Sequence, residues 1–217
     1  TIVSKLQAGQ LPPDLGACRQ ELLSCLARFR AGPSAVRRQL VVALVDCQLW
    51  QPPAQDAQWL PDSIGVLSEG GAEAVPCLLE LLAVIPEEAA NRKVMVDSQR
   101  RSAFASSMLM HTAAVFDALC NAAQQSEAAA IAALTACSRW LHLQNASPAM
   151  RVQKRSPGGK FSADIIKQGL LKETPLMSRA AQVLAGMGGV QSSLELCRAC
   201  ANLLSEAIAL TNEVTGL

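Results

Sequence analysis

The run Cys77-Leu-Leu-Glu-Leu-Leu-Ala-Val-Ile-Pro-Glu-Glu88 is apolar on nearly every side of a helix and closes on a proline and two acids. A helix of this kind cannot stand alone in water, so it must lie between packed neighbours. Helical runs of similar character flank it on both sides. Consecutive helix couples stack into α-solenoids, in which each repeat touches only the next and a long surface stays open to other macromolecules. The pattern predicts an all-α solenoid, a superhelix of antiparallel HEAT- or ARM-like helix pairs. It favours binding over catalysis.

Composition supports helices over strands. Half of the 217 residues are hydrophobic, yet only 3% are aromatic and tyrosine is absent. Leucine, alanine, valine and cysteine pack well between close helices and poorly in a β-sandwich. Segments with the alternating pattern of a half-buried strand are scarce. The chain opens on Thr1 and ends at Leu217 inside an apolar helical pattern, which predicts a piece of a longer polypeptide.

Nineteen basic and 18 acidic residues leave a formal charge of +1. No whole-chain field draws in nucleic acid or an anionic membrane, so neither is an expected direct partner. The longest near-uncharged apolar run, Ala128 to Ser138, falls short of the roughly 20 residues that cross a bilayer, which predicts a soluble fragment. Of eight cysteines, Cys18, Cys25, Cys47, Cys77, Cys120 and Cys137 recur at helical spacing among apolar residues. They read as small buried hydrophobes in a reducing cytosolic or nuclear setting.

The couples follow from breakers and caps. Asp14 is placed to cap a helix to about Arg30, and Gly32-Pro33-Ser34 then breaks the chain, with Ser34 as the next cap. The partner helix runs from Ala35 to about Leu49, closing a first pair over about 14–49. A second pair covers about 55–86, with Pro76 in a first turn and Pro86 ending the helix. A single long helix, Ser98 to Gln124, and an alanine-rich partner to Leu143 form a third pair over 98–143. The period of about 40 residues matches HEAT repeats. The basic segment Arg151 to Lys160 holds one proline and two glycines without periodicity and reads as a flexible loop. Short helices at 165–171 and 175–187 and a long one over 190–214 give a fourth pair, about 161–214.

Chemical motifs are few. Cys197-Arg-Ala-Cys200 is a CxxC, but a structural zinc site needs about four ligands, and the chain has no second CxxC and only His111 and His142. Its position inside a helix also denies it a thiolate-stabilising N-terminus. Neither histidine stands in a triad motif. Gly186-Met-Gly-Gly189 lacks the lysine and strand of a phosphate loop. No catalytic residue, metal or cofactor is therefore expected. The candidate partner-facing residues are Arg37 and Arg38, in the first turns of a second helix, and Lys154 and Arg155 in the basic loop. That loop carries no aromatics for stacking bases.

Three segments carry a family resemblance. Pro33-Ser-Ala-Val-Arg-Arg-Gln-Leu-Val-Val-Ala-Leu44 looks like the second helix of a HEAT repeat. Leu78-Leu-Glu-Leu-Leu-Ala-Val-Ile-Pro-Glu-Glu88 with Asn91-Arg92, and then Cys137-Ser-Arg-Trp-Leu-His-Leu143, match in order and separation. Together they resemble the N-terminal half of importin-β-type nuclear transport receptors, in the branch of transportin-SR and importin-thirteen. The resemblance spans about Leu11 to Leu143. It implies a receptor shuttling between cytoplasm and nucleus that binds protein cargo, often Ser/Arg-rich, and releases it to the GTP form of the GTPase Ran. It also implies that Ran meets inner helices while nucleoporin Phe-Gly repeats enter gaps between outer ones. The alternative on the same helices is a HEAT-repeat scaffold or regulatory subunit unrelated to transport.

Overall fold

The computed structural model describes residues 2–52, 58–143, 175–185 and 193–215. Every regular element among them is helical. A short α1 (Ile2–Gln7) precedes α2 (Leu15–Arg28), whose first turn is capped by Asp14 accepting from Ala17 N–H at 2.9 Å. Next come α3 (Ser34–Trp50) and α4 (Trp59–Ser68), and then α5 (Val75–Ala90), which is entered through a 3-10 turn at Gly71–Ala74. Gly71 takes φ +62° there, a conformation that strains other residues. The chain continues as α6 (Ser98–Met110), α7 (Thr112–Ala123) and α8 (Glu127–Leu143). It closes with α9 (Pro175–Leu184) and α10 (Leu194–Thr215).

Two layers result. The second helices α3, α5, α8 and α10 pack one on the next, while α2, α4, α7 and α9 each pair with the second helix that follows. The successive repeats begin at Leu15, Trp59 and Ser98, the spacing of a HEAT-type array. The fold is an all-α, HEAT-like solenoid. Burial follows the layering: every residue from Val41 to Leu49 in α3 is buried, and α5 buries ten of its 16 residues. Fully buried leucines such as Leu44, Leu81 and Leu82 each contribute roughly 2 kcal/mol by leaving water.

Several sequence expectations change. Ser34 does not cap α3: Pro33 holds the cap position, with no side-chain bond, and Ser34 is the first helical residue. Pro86 does not end α5 either, since the helix runs on to Ala90. A proline removes the N–H that would bond the carbonyl four residues back, here Leu82. The indole N–H of Trp140 on α8 donates to that same Leu82 carbonyl at 2.6 Å. The neighbouring helix thus fills the vacancy and the proline is tolerated.

The single helix expected over 98–124 is two, bent by 61° at His111. Both halves touch α5, but α6 turns also against α3 while α7 packs chiefly against α8 and reaches α9, so one straight stripe cannot serve both. Thr112 Oγ1 donates to Leu109 O at 2.6 Å at the corner, a side-chain bond that competes with continued helix. The third repeat is thereby three-helical. The loop at 151–160, the short helix at 165–171 and the turn at 186–189 lie outside the described residues. No single helix among the described residues is long and apolar enough to cross a membrane.

Candidate partner-binding face

Side by side, α5 and α8 leave an open groove of about 560 Å³. Its floor is Val75, Pro76 and Leu79 from α5 and Ala128, Ala129 and Ala132 from α8. The alanines of α8 are too short to fill the space opposite Leu79. Helix-favouring and small, alanine builds the helix and leaves the trough. The rim is charged, with Arg38, Glu80 and Arg139 at its edges.

These charges form a ladder across three second helices. Arg38 of α3 lies 3.7 Å from Glu80 and 2.7 Å from Glu87, both on α5. Arg139 of α8 reaches Glu87 at 2.5 Å. Arg37 lies 3.9 Å from Glu80 and also donates to the Gly32 carbonyl. Burial holds Glu80 above the usual carboxylate range, with Arg37 and Arg38 working against that rise. Such part-exposed pairs contribute little stability singly, but they fix a row of guanidinium groups along one face.

Of the residues expected to meet partners, Arg38 fits best, with its side chain 48% exposed beside the groove. Arg37 is only 15% exposed and serves the α2–α3 turn more than the surface. Lys154 and Arg155 lie outside the described residues. Sequence reasoning missed Arg139, Glu80 and Glu87. All three sit in the segments quoted for the family likeness, but nothing in a linear sequence shows that Glu87 and Arg139 meet.

A second depression of about 250 Å³ opens between α4 and α7, lined by Leu67, Leu78, Ala118 and Asn121. The remaining candidates are structural. His142 Nε2 sits 2.9 Å from Glu206 and joins α8 to α10, and His111 ends α6. Among the described residues no three His, Cys, Asp or Glu side chains form a metal cage. All eight cysteines are free. Burial pushes the Cys77 thiol up to about 11 and Cys137 up to about 12, so both stay unreactive thiols at neutral pH.

A stack of helix couples with an open, charge-rimmed groove defines a helical-repeat binding protein. The family described as Exportin 1-like protein matches residues 33–151, the stretch that contains α3 through α8. Transportin MOS14 of Arabidopsis thaliana is similar at 31% identity over 156 residues, covering 68% of this chain. The chain belongs to the Exportin 1-like family, within the importin-β superfamily of nuclear transport receptors. It spans 16% of the length of Transportin MOS14.

Proposed function

We propose that this chain is one solenoid segment, residues 1–217, of a longer nuclear import receptor in the transportin-SR and importin-thirteen branch. It carries protein cargo, Ser/Arg-rich proteins among them, between cytoplasm and nucleus. The observation that carries the reading is the groove between α5 and α8 with its Arg38–Glu87–Arg139 rim. An apolar trough edged by fixed guanidinium groups suits a protein partner with acidic residues around an apolar anchor. GTP-loaded Ran is the occupant assigned to this face. The depression between α4 and α7 has the size and apolar lining for a phenylalanine ring, which supports a role in holding nucleoporin Phe-Gly repeats.

The mechanism needs no bond chemistry and no cofactor. Cargo and Ran favour different curvatures of one spring, and each displaces the other through that difference in affinity. The test is binding of the full receptor to immobilised Ran loaded with GTP or GDP. Selective retention by the GTP form, weakened by Arg38→Glu and Arg139→Glu together, supports the proposal. Equal retention by both forms, with no capture of a Phe-Gly peptide, would sink it in favour of a scaffold. Cargo that binds more tightly with Ran-GTP would make the chain an exporter.

A further inference from the structure

Away from the groove, four helices meet around a buried acid. Asp46 of α3 is fully buried, and neither of its carboxyl oxygens receives a well-formed hydrogen bond. Two side chains face it, Gln7 from α1 and Glu88 from α5. Glu88 is itself buried at 7% exposure and accepts from Asn91 Nδ2 at 2.6 Å. The nearest cation is engaged elsewhere: Arg101 of α6 spends its guanidinium on the carbonyls of Glu88, Ala89 and Val94, at 2.8–3.1 Å.

Two facing carboxylates have only acceptors to offer each other. In a buried site both cannot stay ionised, because each charge is costly alone and repels the other. One proton between them turns repulsion into a short, charge-assisted hydrogen bond. We propose that Asp46 and Glu88 share a proton at neutral pH, and that this proton is a latch between the first two repeats, where α1, α3, α5 and α6 converge.

The surroundings are consistent with the latch. Burial, and next the charge of Glu88, push the Asp46 carboxyl up to about 8, while Gln7 and Arg101 pull it down. The charged groups near the pair are Arg101 from α6 and, behind it, Arg92 from the α5–α6 loop. Arg100 of α6 is turned onto the Gln48 and Leu49 carbonyls. From α2, Arg19 is held on Gln48 Oε1, and Cys18 lies against Cys47. A group raised in the folded state binds its proton more tightly there than in the unfolded chain. Its contribution is therefore complete below the ordinary carboxylate range and is lost as pH climbs through about 8.

The experiment uses the 217-residue chain with carbon-13 in its aspartate carboxyls. Infrared spectra at neutral pH should contain one protonated-carboxyl band, absent from Asp46→Asn and fading as pH rises through about 8. Urea midpoints of the natural chain should fall as pH climbs from the ordinary carboxylate range to about 8 and level off above it, and should stay level throughout for Asp46→Asn. Should Asp46→Asn fail to fold, Glu88→Gln supplies the second variant: its amide donates to Asp46, so the band and the pH slope must both vanish. An aspartate spectrum with every carboxyl ionised at neutral pH overturns the latch. So does a fall in urea midpoint between the ordinary carboxylate range and about pH 8 that survives in either variant.

Discussion

Trp140 shows how one side chain can decide whether a helix continues. Its indole N–H occupies the Leu82 carbonyl that Pro86 cannot reach, while its ring is buried between α5 and α8. Trp140→Phe keeps most of the apolar contact and strands that carbonyl. It should cost about 1–3 kcal/mol in urea unfolding, the penalty of a buried unsatisfied acceptor. Pro86→Ala restores a backbone N–H to the same carbonyl, so in that background Trp140→Phe should cost measurably less. Additive losses in the four-variant cycle would show that the two residues do not share the acceptor. The sequence contains both residues in plain view, 54 positions apart. Proline in a helical pattern reads as a stop, and only the neighbouring repeat reveals why it is not.

Arginine-mediated capping repeats as a theme among the elements. Helix C-termini leave carbonyls without partners. Arg100 takes those of Gln48 and Leu49 at the end of α3, and its neighbour Arg101 takes those of Glu88 and Ala89 at the end of α5. Arg179 of α9 does the same for Ala123, the last residue of α7, at 2.8 Å. A cation at a helix C-terminus also meets the favourable end of its dipole. The first turn of α6 thus clamps two successive second helices. Arg100→Ala should cost about 2–3 kcal/mol, and Arg100→Lys should recover less than half of that, because an ammonium cannot fork across two carbonyls. Hydrogen exchange should quicken in the last turn of α3 and leave α8 unchanged. Uniform quickening over all helices would mean that Arg100 supports the whole fold and not one joint. Apolar spacing located the helices to within a few residues, because burial on one face is written into periodicity. Arg100 and Arg101 carry no such mark; in a sequence they look like a solvated first turn.

On the scale of the molecule, the second helices form a continuous layer whose gaps differ according to side-chain size. Between α3 and α5 the space is closed by valine and leucine packing and by the Asp46–Glu88 contact. Between α5 and α8 the alanines leave it open. The sequence made the alanine-rich helix legible but not the groove, since a trough depends on what stands opposite each alanine. Arg38 was legible as a charge on a second helix, whereas its ladder through Glu87 to Arg139 required three repeats in register. If the two depressions serve different partners, they should fail separately. Ala128 is exposed on the groove floor and Asn121 is exposed in the α4–α7 depression. Substitutions at such positions change stability by only about 0.5 kcal/mol, so losses of binding can be read directly. Ala128→Trp in the full receptor should weaken GTP-loaded Ran at least tenfold, equivalent to about 1.4 kcal/mol, and leave Phe-Gly peptide affinity intact. Asn121→Trp should do the reverse. Titrations in which both substitutions depress both partners equally would point to a change in the curvature of the whole stack, because a blocked pocket acts only on the partner that enters it.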